Sequence, residues 1–191
     1  MKIGCALLAA GAGVRFGGGK LLHEVEGEPM IARALRLFGS VPFAARVCVT
    51  RAEADEIRRM AQSGGFFVAV NPDPGRGVGT SVSLATNALR AVEPALDGIL
   101  YAVSDQPYLT KESVMRLLDA FEEEPERIVS LSSAGTRGNP AIFPRAMFRE
   151  LTELAQDVGG GAVIRSHPEL LRLVEAGAAR ELTDIDTLES I

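Results

Sequence analysis

A glycine-rich segment near the start of the chain, "LLAAGAGVRFGGGK" from Leu7 to Lys20, carries one arginine and one lysine among small residues. A glycine-rich turn between a strand and a helix exposes backbone N–H groups and lets a phosphate group approach closely. Arg15 can donate paired hydrogen bonds to phosphate oxygens, and Lys20 adds a compact positive charge. These residue types predict a site for a phosphorylated ligand.

The spacing of the segment differs from two well-known phosphate loops. A P-loop has the pattern G-x-x-x-x-G-K-[ST], but Val14 stands at its first glycine and Leu21 at its hydroxyl position. The dinucleotide pattern G-x-G-x-x-G begins at Gly11 and Gly13, but Phe16 stands at the third glycine. We therefore reject a P-loop. A dinucleotide-dependent oxidoreductase is a weaker alternative that rests on the off-register glycines alone.

A carboxylate is placed to join this site from a second segment. Asp105 lies in "SDQP", directly after the apolar run "GILYAV". Mg²⁺ sites that bind phosphates commonly use one or two carboxylates, with the remaining ligands from phosphate oxygens and water. Asp105 is therefore our first candidate for a metal ligand.

The elements that must position these residues follow from the alternation of apolar runs and helical patterns. The sequence predicts strands at 3–10, 45–50, 66–71, 98–103, 127–133 and 140–143, and helices at 28–39, 52–65, 80–92, 111–124 and 145–154. Residues 134–139 are expected to form a polar loop, and Thr80 or Ser81 and Thr110 are expected to cap helices. This alternation predicts a mainly parallel sheet with helices on both faces.

Ligands of such sheets bind beyond the carboxyl ends of the strands. The glycine loop, the segment "NPDPGRGVGTS" and the "SDQP" turn each follow a predicted strand, so we expect them to gather at one edge. The sequence shows no repeat or linker, and we expect residues 1–191 to form a single domain.

Composition excludes several classes of protein. The chain has 191 residues, 47% of them hydrophobic, and a formal charge of −5 without a basic block, so we expect no nucleic-acid partner. No apolar run approaches the ~18–20 residues of a membrane span, and we expect the first segment to be a buried strand, not a signal peptide. Cys5 and Cys48 lie in apolar runs and are expected to be buried thiols of a cytoplasmic protein.

Several segments resemble those of known nucleotidyltransferases. "LAAGAGVRFGGGK" is similar to their signature, in which L-A-A-G is followed by G-x-R-[FM]-G and a lysine. Four further segments resemble the molybdenum cofactor cytidylyltransferases: "AVNPDPGRGVGTSVSL" (69–84), "SDQP" (104–107), "GNPAIFP" (138–144) and "LTDIDTLES" (182–190). The resemblance runs from residue 3 to residue 190. It implies an α/β fold, a three-layer sandwich of the Rossmann-like nucleotide-diphospho-sugar transferase type.

The resemblance also implies a reaction: Mg²⁺-dependent transfer of CMP from CTP to the phosphate of a molybdopterin-type pterin cofactor, with release of pyrophosphate. Arg15, Lys20 and Asp105 would be the catalytic residues, and Asp105 and Asp186 would hold the metal. Asp184 lies two residues from Asp186, and spacing alone does not separate the two. The nucleotide would contact Leu8, Ala9, Ala10, Gly11, Gly13, Asn71, Gly79, Thr80 and Ser81, and the acceptor would contact Asn139, Pro140, Asp157 and Gly159.

The sequence departs from the family pattern mainly in the segments assigned to the acceptor. Gly161 stands where the family carries a lysine or arginine, and Leu188 and Ser190 replace a proline and an aspartate. Alternatives therefore stay open: a transferase that uses GTP or a sugar phosphate, and a non-catalytic maturation protein that binds the molybdenum cofactor for a partner molybdoenzyme. The sequence does not fix the base, the acceptor, the oligomeric state or the partner enzyme.

Overall fold

A computed structural model describes residues 1–11, 13, 16, 18–155 and 157–187. One sheet contains the strands β1 (Ile3–Ala9), β4 (Ala45–Arg51), β5 (Phe67–Asn71), β6 (Gly98–Val103), β7 (Ile128–Ser133), β8 (Thr136–Pro144) and β9 (Leu171–Glu175). A small hairpin joins β2 (Glu24–Val25) to β3 (Glu28–Pro29). The helices are α1 (Met30–Gly39), α2 (Asp55–Ser63), α3 (Val78–Val92), α4 (Lys111–Glu123), α5 (Phe148–Thr152) and α6 (Gly161–Ser166).

The order of the seven-stranded sheet is β5-β4-β1-β6-β8-β7-β9. The four strands from β5 to β6 run parallel, β8 runs antiparallel to both of its neighbours, and β9 runs parallel to β7. The prediction of a mainly parallel sheet is therefore confirmed. The carboxyl ends of β1 and β6 lie side by side, because Leu8 pairs with Val103.

Residues 134–139, predicted as a loop, instead contain a tight turn and the start of β8. Ala134 and Gly135 both have positive φ values, 49° and 75°, which suit a two-residue hairpin turn. Thr136 pairs with Ser133 directly after it. Residues 134–137 are exposed, because this end of β8 runs past the carboxyl end of β6, whereas Gly138 and Asn139 are half-buried.

Two hydrophobic cores cover the two faces of the sheet. The first lies under α1, α2 and α4 and includes Phe38 and Phe121, while the second lies under α3, α5 and α6. The predicted core positions of α4, Val114, Leu117, Leu118 and Phe121, are all buried. Cys5 and Cys48 are buried free thiols, as predicted, and burial raises the pKa of Cys48 to about 12.

Some predicted helix boundaries are wrong. The helix predicted from Thr80 begins at Val78, and its first turn has no side-chain cap. The helix predicted at 145–154 is a 3-10 turn followed by the short α5, and neither α6 nor β9 was predicted. Thr110 does cap α4, since its hydroxyl accepts a hydrogen bond from the Ser113 amide. Among the described residues, no helix has the length and apolar character needed to span a membrane.

Candidate functional site

A cleft of about 350 Å³ lies at the carboxyl ends of β1 and β6, beside the first turn of α3. Its described lining residues are Leu8, Ala10, Gly11, Gly13, Phe16, Lys20, Leu21, Pro74, Gly77, Val78, Ser81, Val103, Ser104, Asp105 and Asp186. Ser104 donates a hydrogen bond to the Leu8 carbonyl at 2.8 Å and so joins the ends of the two strands. The predicted gathering of the glycine loop, the 69–84 segment and the "SDQP" turn is confirmed.

Lys20 reaches the cleft because the glycine loop leaves it room. It opens a short 3-10 helix, Lys20–Leu22, directly after Gly19, whose φ is 66°. Gly13 has a φ of 58°, and a Cβ atom at this position would lie 2.9 Å from the Lys20 Cβ. Glycine is required at Gly13 both for the backbone conformation and for this close approach. The Lys20 side chain is 11% exposed.

The Lys20 ammonium lies between two carboxylates. Its Nζ donates to Asp105 Oδ2 at 2.7 Å and to Asp186 Oδ1 at 3.0 Å. Burial acts to lower the pKa of Lys20, but the hydrogen bonds to the two aspartates outweigh it and raise that pKa above the ordinary 10.5. Lys20 is therefore fully charged at neutral pH and links three segments that are far apart in sequence.

Backbone contacts hold Asp186 in this position. The amide of Ile185 donates to the carbonyl of Asp105 at 3.0 Å. The Ile185 side chain is buried in a small cluster with Val25 and Met30, next to the β2–β3 hairpin. The segment after the last 3-10 turn is thus anchored to the "SDQP" turn.

Asp184 has a different environment from Asp186. Its Oδ1 accepts a hydrogen bond from Gln106 Nε2 at 2.9 Å, and it does not line the cleft. Loss of hydration and the nearby charge of Asp105 raise the pKa of Asp184. The spacing of two residues would place Asp184 and Asp186 on the same face only in a strand, and residues 183–186 do not form one. Only Asp186 of the two faces Lys20.

The donor set at this point suits a divalent cation that also binds phosphate. Asp105 Oδ1 is buried and has no hydrogen-bond partner, and Asp105 and Asp186 already converge on one cationic group. Within the described part of the chain, no group of three His, Cys, Asp or Glu side chains could hold a metal ion. Two carboxylates would therefore need oxygens from a ligand and water to complete a coordination shell.

A polar network underlies the other end of the cleft. Asn71, at the end of β5, donates from Nδ2 to Thr80 Oγ1 and to Ser81 Oγ, both at 2.9 Å. Thr80 in turn donates to the Gly77 carbonyl at 2.7 Å. Ser81 lines the cleft and is 5% exposed. Because the Ser81 oxygen accepts from Asn71, its own proton can be donated to a ligand.

The predicted site residues divide into three groups. Eight of them line the cleft: Leu8, Ala10, Gly11, Gly13, Lys20, Ser81, Asp105 and Asp186. Four others are not among the described lining residues: Ala9, Asn71, Gly79 and Thr80. Ala9 packs into the core, Gly79 is buried in the first turn of α3, and Asn71 and Thr80 support Ser81. Arg15 lies outside the described residues.

None of the predicted acceptor residues is among the described residues that line the cleft. Asn139 and Pro140 belong to β8, and Asp157 is exposed in the loop before α6. Gly159 is a neighbour of the cleft lining, because a Cβ atom on it would lie 3.1 Å from Val78, which lines the cleft.

Sequence reasoning missed several lining residues: Phe16, Leu21, Pro74, Gly77, Val78, Val103 and Ser104. Most are apolar or glycine and carry no chemical signal of their own. Ser104 could have been found from its place directly before Asp105.

The sheet order, the glycine loop and the paired aspartates define an α/β protein with a fold of the nucleotide-diphospho-sugar transferase type. Residues 5–171 match the family described as "MobA-like NTP transferase domain". The chain belongs to this family.

Relatives and solved structures extend this comparison. The chain is 36% identical over 121 residues to the bifunctional protein GlmU of Maricaulis maris, a match that covers 61% of this chain. This chain matches only 25% of the length of that relative.

Among solved structures, Rv0371c of Mycobacterium tuberculosis H37Rv superposes with a TM-score of 0.85 at 26% identity, covering 100% of this chain and 95% of that one. A complex of Rv0371c with manganese superposes with a TM-score of 0.81 at 24% identity, covering 100% and 96%. A nucleotidyl transferase from Methanothermobacter, Mth528, has a TM-score of 0.81 at 20% identity, covering 99% and 94%, and shows the shared fold alone.

Proposed function

We propose that this protein is a Mg²⁺-dependent nucleotidyltransferase that transfers CMP from CTP to the phosphate of a molybdopterin-type cofactor and releases pyrophosphate. One observation carries the proposal: Lys20 is held between Asp105 and Asp186 in a cleft that the glycine loop borders. This arrangement joins a cation and two acidic oxygen ligands at one point. These are the groups that the transfer of a nucleotide requires.

The reaction forms one bond and breaks one. A phosphate oxygen of the acceptor attacks the α-phosphorus of the nucleotide, and the bond between that phosphorus and the bridging oxygen of the β-phosphate breaks. A phosphate monoester is already ionised at neutral pH, so it needs no general base. This agrees with the described cleft lining, which contains no histidine or cysteine. Lys20 stabilises the negative charge that builds on the α-phosphate.

Asp105 and Asp186 would hold the divalent cation, which when bound neutralises charge on the triphosphate oxygens. The manganese complex of Rv0371c supports a divalent cation in proteins of this fold. The resemblance in sequence favours Mg²⁺. Arg15, outside the described residues, keeps its proposed role at the triphosphate.

The nucleobase would lie between the end of β1 and the first turn of α3. Leu8 and Ala10 offer backbone groups there, and Ser81 offers a hydroxyl proton. CTP and the pterin acceptor rest on the resemblance of residues 69–84, 104–107 and 182–190. The same resemblance assigns Asn139, Pro140, Asp157 and Gly159 to the acceptor. The product, formed in the cytoplasm, would then pass to a molybdoenzyme.

The test is a transfer assay. The protein is incubated with Mg²⁺, purified molybdenum-pterin cofactor and either CTP or GTP, and pyrophosphate release and dinucleotide mass are measured. We expect the cytosine dinucleotide and stoichiometric pyrophosphate with CTP, and loss of both with Lys20→Met. Formation of a guanine dinucleotide alone would contradict the choice of base, and absence of pyrophosphate with both nucleotides would contradict the transfer reaction.

A further inference from the structure

Two arginine side chains from different elements meet beside Gly161. Arg137 lies near the start of β8 and Arg165 lies in α6. A Cβ atom on Gly161 would lie 3.2 Å from Arg137 Nη2 and 3.6 Å from Arg165 Nη1. Both guanidinium groups therefore face the same point in space, although the two residues are distant in sequence.

Both guanidinium groups are on exposed side chains, and neither has a hydrogen bond or ion pair with a protein partner within the part of the chain that the structure describes. Some arginines of this protein find oxygen partners, as Arg46 does at the Phe38 carbonyl, whereas other exposed arginines such as Arg90 have none among the described residues. What distinguishes Arg137 and Arg165 is that their two guanidinium groups converge on one point. Two positive charges brought together without a carboxylate repel each other, and an anion between them would relieve that repulsion.

This pair lies on the same side of the molecule as the cleft. Ala141 of β8 pairs with Tyr101 of β6 in antiparallel register. Residues that precede Ala141 therefore extend past the carboxyl end of β6, where Asp105 follows. The loop before α6 also reaches the cleft, because Gly159 packs against Val78. The two arginines thus lie on the β8 side of the cleft, and the glycine loop lies on its β1 side.

We propose that Arg137 and Arg165 bind the phosphate monoester of the acceptor. Guanidinium groups bind phosphate oxygens through paired, charge-assisted hydrogen bonds, and two of them can hold a dianion in a fixed orientation. The placement across β6 from the glycine loop presents that phosphate to a nucleotide held in the cleft. This inference rests on the proposed function and identifies residues that would select a phosphorylated acceptor.

The test measures acceptor binding separately from nucleotide binding. Phenyl phosphate serves as the phosphate monoester. The α,β-methylene analogue of CTP, which cannot release pyrophosphate, serves as the nucleotide. Each ligand is titrated calorimetrically into the full chain with Mg²⁺. We expect the double variant Arg137→Gln/Arg165→Gln to bind phenyl phosphate at least tenfold more weakly and the CTP analogue within twofold of the wild type. Arg90→Gln is the matched control, since Arg90 is also exposed but lies at the end of α3, remote from the cleft.

A second variant tests the same site without removing either arginine. Gly161→Asp places a carboxylate against both guanidinium groups, where only flexible side-chain ends must move, and we expect it to abolish phenyl phosphate binding. Gly161→Ala controls for the added volume. Unchanged phenyl phosphate affinity in the double variant would overturn the inference, and so would an equal loss of both ligands, which would place the arginines at the triphosphate. Arginine-dependent phosphate binding by a protein that fails to bind the CTP analogue would uphold this anion site and contradict the proposed function.

Discussion

The Nζ atom of Lys20 lies 2.7 Å from Oδ2 of Asp105, and the same ammonium group contacts Asp186. Lysine and a divalent cation would compete for these two carboxylates. We therefore expect Lys20→Met to bind Mn²⁺, in the absence of nucleotide, about tenfold or more tightly than the wild type, because the substitution removes the ammonium charge that repels the cation and frees both carboxylates. Free Mn²⁺ is measured by electron paramagnetic resonance.

Lys111→Met is the control for this metal titration, because it removes the same charge from the exposed start of α4. It should leave Mn²⁺ affinity unchanged. An equal or weaker affinity of Lys20→Met for Mn²⁺ would show that the two aspartates do not form the metal site.

The glycine loop gives a second prediction. An alanine at Gly13 places a methyl group 2.9 Å from the Lys20 Cβ and must displace that lysine. We expect Gly13→Ala to weaken binding of CTP with Mg²⁺ by about tenfold or more, as measured by calorimetry. Gly65→Ala is the matched control, because Gly65 has a φ of 78° and open space around it. Both variants carry the left-handed backbone cost of roughly 1 kcal/mol, so equal effects on CTP binding would contradict the prediction.

The hydroxyl of Ser81 is expected to donate a hydrogen bond to the nucleobase. Ser81→Ala should weaken CTP binding by about fivefold, which corresponds to one hydrogen bond of about 1 kcal/mol. Ser83→Ala serves as the control, since the Ser83 hydroxyl donates to the Thr152 carbonyl outside the cleft. CTP affinity is measured for both variants, and an unaltered Kd in Ser81→Ala would remove this residue from the site.

Glu181 ties the segment that carries Asp186 to the start of α4. Its carboxylate accepts hydrogen bonds from the amide and hydroxyl of Thr110 and from the Ala178 amide. Burial acts to raise the pKa of Glu181, but hydrogen bonds from Ser113, Thr110 and Ala178 outweigh it and hold that pKa below the ordinary 4.5. The ionised form is therefore favoured by folding. Its contribution is complete above pH 4.5 and is lost as the pH falls through the lower, folded value.

Glu181→Gln should accordingly lower the free energy of unfolding by about 2 kcal/mol at pH 7. The difference from the wild type should shrink as the pH is lowered below 4.5. Urea unfolding of both proteins at a series of pH values measures this. A difference that stays constant across the series would show that the charge of Glu181 is not involved.

The parts of the site that depend on backbone pattern could be predicted from sequence. The runs around Leu8 and Val103 are apolar and bounded by glycine or polar turns, so the parallel strands and the shared edge follow from general rules. Lys20 was found from its place in the glycine-rich loop, Asp105 from its place after a strand, and Ser81 from its place at the start of a predicted helix. The course of β8 was missed, because its first residues are polar and read as a loop.

Contacts between distant segments could not be predicted. The choice of Asp186 over Asp184 depends on the burial of Ile185 against the β2–β3 hairpin, and no spacing in the sequence shows this. Likewise, the sequence shows only that Gly161 lacks a side chain. It gives no sign that Arg137 and Arg165 meet there, because that depends on how α6 packs against the end of β8.

The most direct test of the central claim is calorimetric titration of the full chain with CTP, GTP, ATP and UTP, each with Mg²⁺, repeated with Lys20→Met. We predict that CTP binds with the highest affinity and that the variant loses most of this affinity. Binding of no nucleoside triphosphate, or binding that Lys20→Met leaves unchanged, would contradict the assignment of this cleft as a nucleotidyltransferase site.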